Sequence, residues 1–131
     1  MSRMLVVDDD PAWRALYRMA FDGQFEIFEA VDGQDGLSLV DAIQPDVILL
    51  DLRMPRMSGL DFIRRLGDRG RHPAVVVCSG ALDDERPTIP GVRLTAKTPD
   101  LRDLCSALEA AVPFGQRPDV SRQADPLVWR D

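Results

Sequence analysis

Three short runs without a charged residue, Met4-Leu5-Val6-Val7, Val47-Ile48-Leu49-Leu50 and Ala74-Val75-Val76-Val77-Cys78, alternate with segments whose apolar residues recur at helical spacing. This alternation constrains the fold more than any other feature of the chain. A strand that is apolar throughout must be covered on both faces, and strands that alternate with helices supply that cover themselves. The expected class is therefore α/β, with a parallel sheet between two layers of helices. A length of 131 residues suits one such domain.

The intervening segments fill in the order. Asp10-Pro11 predicts an N-cap followed by proline at the first helical position, and Trp13, Leu16, Tyr17 and Ala20 carry that helix to about Asp22-Gly23. Phe25 to Glu29 alternates apolar and charged residues, as an outer strand does. Gly36 to Ile43 places Leu37, Val40 and Ile43 on one helical face, and Pro45 stops it. After Met54-Pro55 and Ser58-Gly59, a third helix carries Leu60, Ile63 and Leu66 inward and ends near Gly67 to Gly70. Val92 to Ala96 predicts a fifth strand, and Thr98-Pro99 caps a last helix with Leu101, Leu104, Leu108 and Ala111 toward the core. Right-handed crossovers leave few arrangements for five such strands.

What stands at the strand ends points to chemistry. In open parallel sheets the functional crevice lies outside the carboxyl ends of the strands. Asp8, Asp9, Asp51, Ser79 and Lys97 all fall at those ends or just beyond. Carboxylates held that close repel one another unless a cation sits among them. The pattern predicts a hard-metal site beside an aspartate able to carry covalent chemistry. Taken singly, each residue has a plainer reading. A lone aspartate is a cap or turn residue, as Asp10 before Pro11 is; a Ser-Gly pair is a turn; a lysine near a helix start is solvated. Together they would need four coincidences in the right chain order.

Composition removes other classes. A net charge of −6 argues against a nucleic-acid-binding face, which needs clustered Lys and Arg. The local basic pairs Arg64-Arg65 and Arg69-Gly-Arg71 read as solvated residues at a helix end. Cys78 and Cys105 lie among apolar neighbours and read as small core residues rather than ligands or a disulfide. His72, before Pro73, has no ligand-like partner in the sequence. No apolar run approaches the ~20 residues of a membrane span, and no secretory signal pattern is present, so no membrane association and a cytoplasmic location are expected.

With these residues in place, the chain resembles a known family. Leu-Val-Val-Asp-Asp-Asp, then Leu-Leu-Asp-Leu-Arg-Met-Pro with Ser58-Gly59 following, then Val-Cys-Ser-Gly-Ala and finally Lys97 are similar to the receiver domain of two-component response regulators. The likeness covers roughly residues 3 to 112. It implies a flavodoxin-like, CheY-type doubly wound sheet of five parallel strands in the order 2-1-3-4-5. It implies that Asp51 is the phosphoacceptor, attacking the phosphoryl group of a phosphohistidine on a histidine kinase or phosphotransfer protein. It places Asp8 and Asp9 as the acidic pair and the main-chain carbonyl of Arg53 as a further metal ligand with Asp51, for Mg²⁺. Lys97 supplies a second cation, paired first with a carboxylate and then with phosphoryl oxygens. Ser79 supplies a hydroxyl that moves toward the phosphoryl group after transfer. On this resemblance the chain is a signalling switch rather than an enzyme. Its activity is at most slow Mg²⁺-dependent self-phosphorylation and autodephosphorylation, its output a downstream protein effector, and a homodimer is possible.

The departures from the family concern output. Thr98 separates Lys97 from Pro99, so either the loop is rebuilt or a cis bond is kept at Lys97–Thr98 without proline, which costs about 2.5–4 kcal/mol. Leu94 stands where receivers often carry Tyr or Phe. The stretch from Ser79 to Lys97 is short and contains Pro87 and Pro90, so the fourth helix is expected to be short, irregular or absent and its face atypical and mobile. The expected division is a receiver over residues 1–112 and a tail or linker over 113–131, whose Leu127-Val128-Trp129 is an apolar patch. Two other functions compete. One is a receiver-like interaction module independent of phosphorylation, favoured by Leu94 and the altered Lys97-Thr98 junction. The other is a phosphohydrolase of the haloacid dehalogenase type, suggested by the Asp-x-Asp spacing in Asp8-Asp9-Asp10 but having no use for a second buried aspartate at Asp51.

Overall fold

The computed structural model describes residues 1–68, 73–80 and 92–111. Five parallel strands, β1 (Ser2–Val7), β2 (Phe25–Ala30), β3 (Val47–Leu50), β4 (Ala74–Ser79) and β5 (Val92–Ala96), form one sheet in the order β2-β1-β3-β4-β5. Helices α1 (Pro11–Phe21), α2 (Gly33–Ile43), α3 (Gly59–Asp68) and α4 (Arg102–Ala111) cover it. This is the doubly wound arrangement expected from the alternation of apolar runs and helices. The segment after β4, where the fourth helix was expected to be short or absent and its face mobile, lies outside the described residues. So do His72, Arg69, Arg71 and the 113–131 tail.

The pleat sorts the core into two layers, because successive side chains of a strand point to opposite faces. Met4, Val6, Val47, Leu49, Val76 and Cys78 face α1 and α4, meeting Tyr17, Phe21, Leu104 and Leu108. Leu5, Val7, Ile48, Leu50, Val75 and Val77 face α2 and α3, meeting Leu37, Val40, Phe62 and Leu66. Each such aliphatic side chain contributes roughly 1.5–3 kcal/mol on burial. Cys78 and Cys105 are both buried and are not joined by a disulfide, as their neighbours in the sequence implied. On α3 the anchor is Phe62, fully buried one turn before Leu66, while Leu60 and Ile63 are only partly covered. Gly36 lets α2 approach: a Cβ there would sit 2.9 Å from Phe62 Cε2 and 3.0 Å from Val7 Cγ2.

Two helix starts differ from the sequence reading. α2 begins at Gly33, not Gly36, because Asp32 caps it by accepting the Asp35 N–H at 2.8 Å. The last helix begins at Arg102, and its first turn is held by Asp100, which accepts the Arg102 N–H at 3.1 Å. Thr98 does not cap the helix directly; its hydroxyl donates to Asp100 Oδ1 at 2.9 Å. These two donors hold the Asp100 carboxyl below its ordinary range, the Arg102 amide first. Between them Leu101 adopts a left-handed conformation, φ 56°, and is nonetheless buried. Such a backbone costs about 1–2 kcal/mol in a non-glycine residue, offset here by burial of the leucine side chain. No cis peptide occurs among the described residues, so the loop after Lys97 is rebuilt rather than cis.

Candidate functional site

Register brings the site together. Met4 to Val7 pair one to one with Val47 to Leu50, so the chain leaves β1 and β3 side by side. The backbone ladder continues one residue further: the Asp8 N–H donates to Ala30 O at 3.2 Å and the Asp51 N–H to Val7 O at 3.0 Å. Ser79 pairs with Ala96 at the ends of β4 and β5, and the next amide, that of Lys97, donates to Ser79 O at 3.0 Å. Strand pairing alone therefore delivers Asp8, Asp51, Ser79 and Lys97 to one rim.

Their side chains meet there. Lys97 Nζ lies 2.7 Å from Asp8 Oδ2 and 3.6 Å from Asp51 Oδ2, with the three side chains only 8%, 2% and 9% exposed. Asp8 uses its other oxygen to accept the Asp10 N–H at 2.9 Å. Asp10 itself is the cap of α1, accepting the Ala12 N–H at 2.9 Å. Asp51 Oδ1 is 3.4 Å from the Arg53 N–H, a long contact within the turn that follows β3. That turn is tight: the Gly59 N–H donates to Leu52 O at 2.8 Å, and a Cβ on Gly59 would sit 2.7 Å from Asp51 O. Asp9 is exposed, and Ser79 is buried at the end of its strand.

The electrostatics are unbalanced. Asp8, Asp9 and Asp51 each offer a carboxylate oxygen, and these atoms lie within 4.8 Å of one another. Among the described residues, three carboxylates against one ammonium leave the site negative. Burial pushes the Asp51 carboxyl above its ordinary range; Lys97 pulls it down, and Asp8 pushes it up again. An all-oxygen donor set with excess negative charge fits a hard divalent cation such as Mg²⁺, which shares its shell with water and phosphate oxygens. Cys78, nearby on β4, is no nucleophile: burial raises its thiol to about 12.

Two residues at this rim were not singled out from the sequence. Arg14 Nη1 donates to Asp8 O at 2.7 Å while its Nε donates to Glu29 at 3.1 Å, tying α1 to the start of the acidic loop. The Trp13 ring lies under the Lys97 ammonium, 5.2 Å from Nζ to the ring centroid. Helical spacing had assigned Trp13 to the core, and it does pack there in part. Its position a few residues after the acidic cluster was the only available signal of a second role.

The sequence matches the response regulator receiver domain family over residues 4–98. It is 37% identical over 116 residues to the positive alginate biosynthesis regulatory protein of Pseudomonas aeruginosa, covering 82% of this chain and 46% of that protein. It is 35% identical over 97 residues to protein-glutamate methylesterase/protein-glutamine glutaminase 2 of Koribacter versatilis, covering 72% of this chain and 27% of that protein. The chain thus spans less than half the length of these relatives. Its fold is similar to that of the response regulator protein TrrA of Thermotoga maritima in complex with Mg²⁺-BeF, at a TM-score of 0.77 and 22% identity, covering 86% of this chain and 100% of that one. TrrA in complex with the histidine kinase ThkA is also similar, at a TM-score of 0.75 and 23% identity over 86% of this chain and 100% of that one.

Proposed function

The chain belongs to the response regulator receiver domain family, and we propose that Asp51 is its phosphoacceptor. The observation that carries this is the buried Asp51 carboxylate at the end of β3, 3.6 Å from Lys97 Nζ and beside Asp8 and Asp9. An Asp51 carboxylate oxygen attacks the phosphorus of a phosphohistidine. The P–N bond breaks, its electron pair stays on the departing imidazole, and an acyl phosphate forms.

Asp8, Asp9, Asp51 and the Arg53 main-chain carbonyl would hold Mg²⁺. When bound, the ion offsets the charge of an anionic nucleophile meeting an anionic phosphoryl group. Lys97 draws the Asp8 and Asp51 carboxylates together and donates to the transferred group. Ser79, buried at the end of β4, offers its hydroxyl to the same oxygens. TrrA's complex with a histidine kinase supports a histidine kinase or phosphotransfer protein as donor. A protein effector, with homodimerisation as one form of output, reads the phosphorylated state. Residues 1–112 form the receiver unit and 113–131 a tail or linker, and the chain works in the cytoplasm as a switch whose only catalysis is slow self-phosphorylation and autodephosphorylation. Among the described residues no helix is long and apolar enough to cross a membrane.

Incubation with acetyl phosphate and Mg²⁺, followed by intact mass measurement, tests the assignment. Wild type is expected to gain one phosphoryl group and Asp51→Asn none. An unchanged wild-type mass would sink it and leave the phosphorylation-independent interaction module as the better reading.

A further inference from the structure

We propose that Trp13 is a positioning residue for Lys97, and that its indole carries the state of Asp51 into α1. The inference rests on the assignment of Asp51 above. Among the described residues, Lys97 meets neighbours of different character: Asp8 at 2.7 Å, Asp51 at 3.6 Å and the face of the Trp13 ring at 5.2 Å. An ammonium within about 6 Å of an indole centroid is attracted by the negative face of the ring, and more strongly where water is excluded. The Lys97 side chain is almost wholly covered, and Trp13 helps to close it off. The indole thus helps to hold the ammonium at the acidic rim, beside the carboxylates.

The same ring is placed to pass on a movement. Trp13 contacts Tyr17 one turn along α1, ring centroids 5.9 Å apart. Tyr17 is buried in the layer that also contains Leu101, Leu104 and Cys105 at the start of α4, and Trp13 packs against that layer. Leu94, at the β5 position where the family often carries an aromatic ring, packs against the opposite layer with α2 and α3. The aromatic group in touch with the switch lysine therefore lies on the α1–α4 face. When Asp51 gains a phosphoryl group, the Lys97 ammonium acquires new anionic partners. Its displacement from the ring changes how α1 packs on the core layer that it shares with α4.

The test uses the full chain carrying Trp129→Phe, which leaves Trp13 as the only one of the two tryptophans. Phosphorylation by acetyl phosphate with Mg²⁺ is followed by intact mass and by Trp13 emission together. Emission is expected to shift as mass is gained, and not to shift in a Lys97→Met variant that gains the same mass more slowly. In rate, Trp13→Leu is expected to be about fivefold slower and Trp13→Phe within about twofold of the parent, as loss and retention of a cation–π contact require. In the Lys97→Met background Trp13→Leu is expected to add no further slowing, since coupled residues are not additive. Equal slowing in both backgrounds, or a mass gain with unchanged Trp13 emission, would overturn the inference. A wild type that gains no mass would instead overturn the Asp51 assignment and everything resting on it.

Discussion

At the amino-terminal rim of the sheet, Arg3 donates through Nε to Glu26 at 3.2 Å and through Nη1 to Ile43 O at 2.6 Å, while its own N–H goes to Asp46 at 2.7 Å. At the carboxyl-terminal rim, Lys97 faces Asp8 and Asp51. The Arg3–Glu26 pair is 48% and 54% exposed; the Lys97 cluster is almost closed. At the first rim water screens the charges and each has a partner, so the pair contributes little and demands nothing. At the second rim, among the described residues, carboxylates outnumber cations in a poorly solvated place, where an unbalanced charge is costly. One sheet thus carries a satisfied rim that holds strands together and a frustrated rim that is relieved by a cation or by protonation. The difference supports the second rim as the site of the function proposed above.

The largest expected break in this comparison is Lys97→Met. It leaves two buried carboxylates without their ammonium and is expected to lower stability by about 3 kcal/mol in urea unfolding. It should also slow phosphorylation about 100-fold, the scale of losing one fixed charge at a reacting centre. Next is Gly59→Ala, whose Cβ would meet the Asp51 carbonyl oxygen at 2.7 Å. A backbone atom cannot swing aside, so about 2 kcal/mol should be lost, with the loop after β3 displaced.

Asp51→Asn sharpens the comparison in the opposite direction. Burial raises the folded-state pKa of Asp51 above its unfolded value, so the folded protein holds that proton more tightly. Stability therefore falls as pH rises from the unfolded pKa through the folded one, and neutral pH is where the charge is most costly. Asp51→Asn is expected to melt a few degrees higher than wild type at pH 7 without metal, the gain shrinking as pH drops below the folded pKa. A lower melting temperature at pH 7 would contradict the description of this rim as frustrated. The smallest effect is expected from Arg3→Ala: no more than about 1 kcal/mol, diminishing as salt screens the pair.

The order of elements and the membership of the rim were legible because they depend on local signals. Apolar runs of strand length, Asp10-Pro11 as a helix start and the residue following each run are all short-range features. β3 occupies Val47–Leu50, the same four residues as its apolar run, because every one of them is buried. Helix starts were less legible where a polar cap competed with apolar spacing. Asp32 opens α2 ahead of the first apolar residue of its face, and Asp100 takes the role expected of Thr98. Phe62 is absent from the inward face that spacing assigns to α3, because several apolar residues share its helical turns, and only packing against Gly36 and Val7 shows which is central.

The alternation of the chain by itself determined that this protein is a parallel α/β sheet with carboxylates, a hydroxyl and an ammonium at one rim. Periodicity and strand ends are properties of neighbouring residues. Only the tertiary structure decided how those groups pair: that Lys97 sits closer to Asp8 than to Asp51, that Arg14 grips the Asp8 carbonyl, and that Trp13 lies under the ammonium. Each of these contacts joins separate elements. Their distances follow from strand register and from the packing of α1 on the sheet, and no local pattern encodes either.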